Sequence, residues 1–279
     1  MGKVLDLSRP RVMGILNITP DSFSDGGHYL STDRAVEHAF RMVDEGADII
    51  DVGGESTRPG SIAVSEQEEI DRVLPVVESL TLELPVLISI DTSKPAVMRA
   101  AVQAGAGMIN DVRSLSVPGA LDVVSEMDVW VCLMHMQGQP DTMQNNPQYK
   151  NVVAEVKKFL ASRVRYCVQA GIARDRLVVD PGFGFGKTLT NNLSLLSNLE
   201  GICALGLPVL VGFSRKSMIG SLLNRPVQER LYGSLSAAVI AVLKGASIVR
   251  VHDVRPTVEA LRIVNAMRQN EQSPVVAGF

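Results

Sequence analysis

Short apolar runs that each end in a polar residue recur along the chain, and this rhythm constrains the fold more than any other feature. The runs are rich in β-branched residues and apolar at consecutive positions, which is typical of strands buried on both faces of a parallel sheet. They are Val12–Leu16, Ile49–Ile50, Val86–Ile90, Met108–Ile109, Val129–Met134, Leu177–Val179, Val209–Gly212 and Ile248–Val251. The sequence therefore predicts eight buried parallel strands.

The segments between these runs have the period of amphipathic helices. Ser65 and Glu68 predict a helix N-terminus, because a serine followed three residues later by a glutamate forms a capping box. Pro75, inside the same helical pattern, predicts a kink or a wide turn. Glycines that suit a left-handed C-cap follow several helices, namely Gly46, Gly105, Gly171 and Gly245.

Eight strands that alternate with helices in 279 residues predict the α/β class and a closed (β/α)8 TIM barrel. A doubly wound open sheet is the alternative, although no glycine-rich dinucleotide fingerprint follows the first strand. No Ser/Gly tract, proline-rich stretch or charge block divides the chain. We therefore expect residues 1–279 to form a single barrel domain.

Composition excludes several classes of protein. A hydrophobic fraction of 46% with a net charge of −3 rules out a disordered chain. The chain has no long basic run and no long apolar stretch. We therefore expect no nucleic-acid partner and no membrane span. The first ten residues lack the apolar core of a signal peptide, and the three cysteines (Cys132, Cys167, Cys203) form no CxxC pair. We expect a cytoplasmic protein with free thiols.

The polar residues that end the strands are the candidates for a functional site. In a barrel of this kind the active site is built at the carboxyl ends of the strands, where these side chains converge. They are Asn17, Asp51, Asp91, Asn110, Asp111, His135, Asp180, Arg250 and His252. So many ionisable and amide groups on one rim predict a site rather than a purely structural edge.

Three of these side chains match one kind of ligand. Asp91, Asn110 and Asp180 would bind an amino-heterocycle, whose ring N–H and exocyclic amine present two donors side by side. Lys216, just after the seventh strand, would neutralise a carboxylate and donate to the ring. The alternatives are a structural role for each carboxylate and a solvated surface position for the lysine.

A second group of residues suggests an anion and a metal ion. Arg250 and His252 alternate on the last strand and, with Arg58, would hold an anion; a salt-bridged arginine beside a core histidine is the alternative. Asn17 is a candidate oxygen ligand for Mg²⁺, which keeps mostly waters and phosphate oxygens in its coordination shell.

Three loops carry further signals. The loop at 181–188 has alternating glycines and a lysine but fits neither phosphate-binding pattern, and either Phe183 or Phe185 would stack on a flat ligand there. The long polar loops at 17–27 and 51–60, which glycine and proline punctuate, are candidate lids.

Taken together, the motifs resemble those of the dihydropteroate synthase family, in the family's order and over nearly the whole chain. The bacterial single-function members are the most similar. The motifs are Met13–Gly27, Gly53–Gly60, Ile90–Pro95, Ile109–Asp111, Leu133–Met136, Asp180–Lys187, Gly212–Ser217 and Arg250–Asp253.

The resemblance implies a reaction and a set of roles. Members join p-aminobenzoate to 6-hydroxymethyl-7,8-dihydropterin diphosphate and release pyrophosphate, as Mg²⁺-dependent barrel homodimers that sulfonamides inhibit. By motif match, Asp91, Asn110, Asp180 and Lys216 line the pterin pocket, while Asn17 binds the metal and Arg250 and His252 hold the diphosphate. The remaining matched substrate residues are Phe23, Thr57, Arg58, Pro59, Met134, Phe185 and Ser217.

The matched positions, together with the chemistry expected of a dissociative displacement, suggest which residues act in the reaction itself. These are Lys216, Arg250 and Arg58, together with Asp25 as a carboxylate that stabilises a cationic intermediate. Three other functions stay open at this stage. They are a pterin-dependent methyltransferase of the same barrel family, an aldolase that uses Lys216 as a Schiff-base nucleophile, and a pterin-binding module without catalysis.

Overall fold

The computed structural model of the chain describes residues 5–18, 28–56, 64–138, 143–144 and 146–272. Eight strands form one sheet in which all neighbours are parallel, in the order β6-β5-β4-β3-β2-β1-β8-β7. The strands are β1 (Arg11–Asn17), β2 (Ile49–Gly53), β3 (Leu87–Asp91), β4 (Met108–Asp111), β5 (Trp130–Met134), β6 (Leu177–Asp180), β7 (Leu210–Val211) and β8 (Ile248–Val251). All eight predicted strands are present; β8 has the predicted bounds, and the other seven have shifted ends.

The two edge strands of this sheet meet and close it into a barrel. An isolated parallel bridge joins Val179 to Val209, and the Val179 amide donates to the Pro208 carbonyl at 3.0 Å. The prediction of a (β/α)8 barrel is confirmed, and the open doubly wound sheet is wrong. Strand β7 is only two residues long, half the length predicted from its apolar run.

Helices cover the outside of the barrel. They are α1 (His28–Asp44), α2 (Glu66–Glu83), α3 (Pro95–Gln103), α4 (Ala120–Ser125), α5 (Val152–Gln169), α6 (Leu189–Ser197), α7 (Glu200–Cys203), α8 (Ser217–Leu223), α9 (Leu231–Leu243) and α10 (Val254–Gln272). Short 3₁₀ helices lie at Arg174–Arg176 and Val227–Glu229.

The structure agrees with the predicted helix ends but not with the predicted turn at Pro75. The Ser65 hydroxyl accepts a hydrogen bond from the Glu68 amide at 3.1 Å, which confirms the predicted N-cap of α2, whereas the Glu68 carboxylate pairs with Arg72. Helix α2 continues through Pro75, so the predicted wide turn is wrong. Pro75 lies on the exposed face, where water can bond the carbonyl that lacks its helical partner. The four C-cap glycines all have positive φ.

Apolar side chains fill the lower part of the barrel and leave its carboxyl-terminal rim to polar groups. The interior cluster draws at least one residue from each strand, namely Met13, Ile49, Leu87, Met108, Trp130, Cys132, Val178, Leu210 and Ile248, with Leu5 beside them. A larger cluster fills the space between sheet and helices. Because the interior is packed, a ligand has access only to the rim.

Within the part of the chain that the structure describes, no helix is long and apolar enough to cross a membrane. The cysteines Cys132, Cys167 and Cys203 are free thiols, as predicted.

Candidate active site

Four strands contribute to a network of charged and amide side chains on the rim. The Arg250 guanidinium on β8 donates from Nε to Asp51 Oδ2 at 2.6 Å and from Nη2 to Asp91 Oδ2 at 2.7 Å. Asn110 on β4 donates from Nδ2 to the same Asp51 oxygen at 3.0 Å. The second Asp51 oxygen is buried and has no partner among the described residues. One arginine thus ties together two buried carboxylates.

Burial controls the charges of this network. It raises the pKa of Asp91 to about 7, because the loss of solvent around the carboxylate and the nearby Asp51 outweigh the attraction of Arg250. Burial also lowers the pKa of Arg250, but Asp51 and Asp91 more than compensate and the net shift is upward. Arg250 therefore stays charged, while Asp91 titrates close to neutral pH.

A second half of the site forms between β6 and the start of α8. Asp180, the last residue of β6, accepts the Gly182 amide on Oδ1 at 2.6 Å. Lys216 donates from Nζ to the Phe183 carbonyl, and the same nitrogen lies 4.6 Å from the centre of the Phe185 ring, in a cation–π contact. Burial raises the pKa of Asp180 and lowers that of Lys216 to about 8, each opposed by the charge of the other.

The two halves face one space. A Cβ atom built on Gly212 would lie 3.7 Å from Lys216 Nζ and 3.8 Å from Arg250 Cβ. The side chains of Lys216 and Arg250 therefore flank the same position above the end of β7. A methyl group at that position would make ordinary van der Waals contacts with both residues, so Gly212 lies directly between the two halves of the site.

Asn17 lies at the edge of this space, at the end of β1. A Cβ atom on Gly53 would be 3.7 Å from Asn17 Oδ1 and 3.9 Å from Asp91 Oδ2, so both oxygens face the same point. Among the described residues, no three His, Cys, Asp or Glu side chains could hold a metal ion together. A single amide oxygen near a carboxylate fits Mg²⁺ that takes its other ligands from water and diphosphate.

His252 comes directly after β8, the strand that pairs with β1, and is held by Ser214. Its Nδ1 lies 3.0 Å from the Ser214 hydroxyl, which also accepts the His252 amide at 3.1 Å. Beside it, Arg215 and Asp253 form a two-point ion pair. The imidazole is only half-buried, so it remains accessible to an anion at the rim.

The structure brings five of the predicted site residues into direct proximity, namely Asp91, Asn110, Asp180, Lys216 and Arg250, with Asn17 at their edge. Met134 is buried and pairs in register with Asp180, and Ser217 is exposed at the first turn of α8. Of the two phenylalanines, Phe185 faces the site, whereas Phe183 is fully buried against Phe213. Asp25, Phe23, Thr57, Arg58 and Pro59 lie outside the described residues.

Two residues have contacts in the structure that were not predicted from the sequence. Asp51 was placed on the rim without a role in the site, and Lys187, in the loop after β6, was given no role. The run Ile49–Ile50 suggests that β2 ends at Asp51, whereas the strand continues to Gly53 and Asp51 is fully buried. A buried aspartate inside an apolar strand is itself a signal, because such a carboxylate needs a charged partner.

Comparisons with known proteins show which family the chain belongs to. Residues 13–252 match the family model described as "Pterin binding enzyme". The dihydropteroate synthase of Escherichia coli K12 is 58% identical over 95% of this chain and 94% of its own length. The Yersinia pestis dihydropteroate synthase, solved with a sulfonamide drug, superposes with a TM-score of 0.91 at 56% identity, over 95% of this chain and 96% of that one.

The Xanthomonas albilineans dihydropteroate synthase, solved with 4-aminobenzoic acid, gives a TM-score of 0.90 at 52% identity and covers 95% of each chain. The family match spans most of the sequence, and the identities are far above those of proteins that share only a fold. On this evidence the chain belongs to the pterin-binding enzymes and, within them, to the dihydropteroate synthases.

Proposed function

We propose that the pterin ring binds among Asp91, Asn110, Asp180 and Lys216, above the ion pairs of Arg250. As a dihydropteroate synthase, the enzyme joins p-aminobenzoate to 6-hydroxymethyl-7,8-dihydropterin diphosphate, releases pyrophosphate and forms 7,8-dihydropteroate for folate synthesis. The observation that carries this placement is that Lys216, which interacts with the buried Asp180, and Arg250, which pairs with the buried Asp51 and Asp91, lie on either side of Gly212.

The chemistry of the pterin fits these side chains. Its ring N–H and exocyclic amine form a two-donor edge, which pairs with a carboxylate such as Asp180. The Lys216 ammonium donates to acceptor atoms of the ring, while the Phe185 ring beside it provides a flat apolar surface. The ring carries no net charge, so it adds no charge to the network of Asp51, Asp91 and Arg250.

The diphosphate would bind at the outer side of the pterin, towards His252 and the guanidinium of Arg250, with Arg58 from the loop after β2. Asn17 would hold Mg²⁺ next to it. When bound, the metal supplies positive charge that makes pyrophosphate a better leaving group. Arg250, whose Nε and Nη2 are engaged by Asp51 and Asp91, adds positive charge in the same place.

We infer a dissociative displacement. The C–O bond to pyrophosphate breaks first, the bond electrons leave with the pyrophosphate, and the pterin ring delocalises the resulting positive charge over its nitrogens. The neutral aromatic amine of p-aminobenzoate then attacks the exocyclic carbon and loses a proton. Asp25 is the proposed carboxylate that stabilises the cation, and Phe23, Thr57, Pro59 and Ser217 are the proposed contacts of p-aminobenzoate.

The other functions suggested by the sequence are less well supported. A Schiff-base aldolase needs Lys216 free to attack a carbonyl, whereas its nitrogen is engaged by the Phe183 carbonyl and the Phe185 ring. The relatives from Escherichia coli and Haemophilus influenzae are dihydropteroate synthases, which supports neither a methyltransferase nor a pure binding module.

We also propose that the enzyme is a cytoplasmic homodimer. Exposed apolar side chains form a stripe along α9 and α10, which pack against each other. They are Tyr232, Ile240 and Leu243 on α9 and Ile263 and Met267 on α10. A patch of this kind on neighbouring helices is typical of a protein–protein interface.

One experiment tests both the activity and its mechanism. Pyrophosphate should be released from the pterin diphosphate only slowly without p-aminobenzoate and rapidly with it. With the amine withheld and Mg²⁺ present, label in the bridging oxygen should scramble into non-bridging positions, because the C–O bond breaks reversibly. Turnover without any scrambling of the label would show that the displacement is concerted rather than dissociative. The absence of any pyrophosphate release would overturn the activity itself.

A further inference from the structure

Lys187 lies near the end of the loop after β6, and its side chain is almost completely buried. Four acceptors surround its ammonium nitrogen. The Gly182 and Phe185 carbonyls lie at 2.9 Å, His135 Nδ1 at 3.0 Å and the His135 carbonyl at 3.3 Å. An ammonium has three N–H donors and no acceptor, so only the protonated lysine uses this environment fully. None of the rim chemistry described above employs this group.

The acceptors come from two different loops. His135 follows β5, whereas Gly182 and Phe185 follow β6. A Cβ atom built on Gly182 would lie only 1.9 Å from the His135 carbonyl oxygen, and one on Gly186 would lie 2.5 Å from the Gln137 carbonyl oxygen. The two backbones therefore touch directly, with carbonyl groups gathered at the contact. A buried cation at this point offsets the mutual repulsion of those dipoles.

The protonation state of the neighbouring histidine agrees with this arrangement. Burial and the charge of Lys187 lower the pKa of His135 to about 3, so the imidazole is neutral. Its Nδ1 then accepts from Lys187, and the ring proton resides on Nε2. Burial lowers the pKa of Lys187 to about 7, opposed by the attraction of the nearby Asp180 carboxylate.

The loop that Lys187 holds also organises the pterin side of the site. The Gly182 amide fixes the Asp180 carboxylate, the Phe183 carbonyl accepts from Lys216, and the Phe185 ring lies beside the Lys216 nitrogen. Each of these contacts depends on the backbone between Gly182 and Phe185. Both ends of that stretch are bonded to the Lys187 ammonium.

We infer that Lys187 is a positioning residue for the pterin pocket, which acts by joining the β5 and β6 loops and thereby orienting Asp180, Phe185 and Lys216. It contacts no substrate. The inference rests on the proposed placement of the pterin beside Asp180 and Lys216.

The test compares Lys187→Met, which keeps the length of the side chain and removes its donors, with Lys244→Met. Lys244 forms a surface ion pair with Glu200 remote from the site and is the matched control. Calorimetry with 6-hydroxymethyl-7,8-dihydropterin, which lacks the diphosphate, should give roughly tenfold or weaker affinity for Lys187→Met, as expected when charged hydrogen bonds are lost. The KM for p-aminobenzoate at saturating pterin diphosphate should stay within about twofold of the wild type, as for a remote surface change.

Equal losses for pterin and p-aminobenzoate, or unchanged pterin affinity, would overturn the positioning role. If pterin affinity is also unchanged in Asp180→Asn, the proposed placement of the pterin fails instead.

A measurement on the wild-type protein tests the Lys187–His135 contact even if Lys187→Met does not fold. Nitrogen-15 NMR of the His135 ring should show a neutral Nε2–H tautomer at mildly acidic pH. A ring that titrates near 6.5, the ordinary histidine pKa, would contradict the Lys187–His135 contact.

Discussion

Individual residues on the rim owe their properties to burial as much as to their partners. Asp180 is a carboxylate at the end of a strand, with one oxygen held by the Gly182 amide and a pKa raised by burial. In such an environment an unpaired donor is costly, because water cannot replace the missing partner. The direction of each hydrogen bond therefore matters more here than at the surface.

This leads to a prediction for Asp180→Asn. The amide replaces an acceptor by a donor that faces the pterin N–H groups, so affinity for the phosphate-free pterin should fall roughly tenfold or more. Calorimetry measures this loss. Asp175→Asn, an exposed change in the turn before β6, is the control and should bind like the wild type. Equal affinities for all three proteins would remove Asp180 from the pocket.

The raised pKa of Asp91 predicts a pH dependence of pterin binding. Since this pKa is about 7 in the free enzyme, the carboxylate takes up a proton as the pH falls below that value and loses its capacity as an ionised acceptor. Affinity for the phosphate-free pterin should therefore be highest above about pH 7 and decline towards lower pH. Calorimetric titrations across this range should show the decline in the wild type and a flatter profile in Asp91→Asn. The same decline in Asp91→Asn would assign the titration to another group.

Sequence reasoning found most rim residues because polar side chains at strand ends stand out against apolar runs. It did not assign Asp51 or Lys187, since their roles depend on partners that are distant along the chain. Asp51 is paired with Arg250, 199 residues away, and Lys187 with His135, 52 residues away. No local spacing encodes either contact.

At the scale of elements, helix ends were predictable wherever the signal was a local hydrogen bond. The Ser65 cap of α2 follows from a side chain three residues from its partner, whereas the shortness of β7 reflects the closure of the whole barrel. The wide turn predicted at Pro75 is absent and α2 continues through it, because a proline on the exposed face of a long helix costs less than one in its core.

The N-cap of α2 gives a prediction about stability. Ser65→Ala removes the acceptor for the Glu68 amide and should lower the free energy of unfolding by about 1 kcal/mol. Urea denaturation measures the change. Ser79→Ala, in the same helix, removes only a surface hydrogen bond to Glu83 and should stay within about 0.5 kcal/mol of the wild type. An equal effect of both changes would mean that the cap contributes nothing specific.

At the scale of the whole molecule, the barrel was predictable from the repeated alternation of strands and helices, because that alternation and the number of strands determine a closed parallel sheet. The oligomeric state was suggested only by the family resemblance. In the structure, the exposed stripe on α9 and α10 adds a physical reason for association.

The stripe predicts the effect of two charged substitutions. Tyr232 and Ile263 are 79% and 74% exposed, so Tyr232→Glu with Ile263→Glu should place two carboxylates in the proposed dimer interface without disturbing the core. Sedimentation equilibrium should show a dimer for the wild type and a monomer for the double variant. Leu82→Glu alters an equally exposed side chain on α2 and should leave the mass unchanged. A monomeric wild type, or a double variant that remains a dimer, would contradict the proposed dimer interface.

In the proposed placement, pterin binding also stabilises the closure of the barrel between β6 and β7. This junction consists of one bridge, from Val179 to Val209, whereas the other strand pairs have regular ladders. Asp180 stands directly after Val179 on one side, and Lys216 follows β7 on the other. A pterin that contacts both side chains spans the junction, so its binding free energy adds to the free energy needed to open the barrel there. In the proposed placement the substrate would stabilise the closed sheet, and without it we expect local opening to begin at β7.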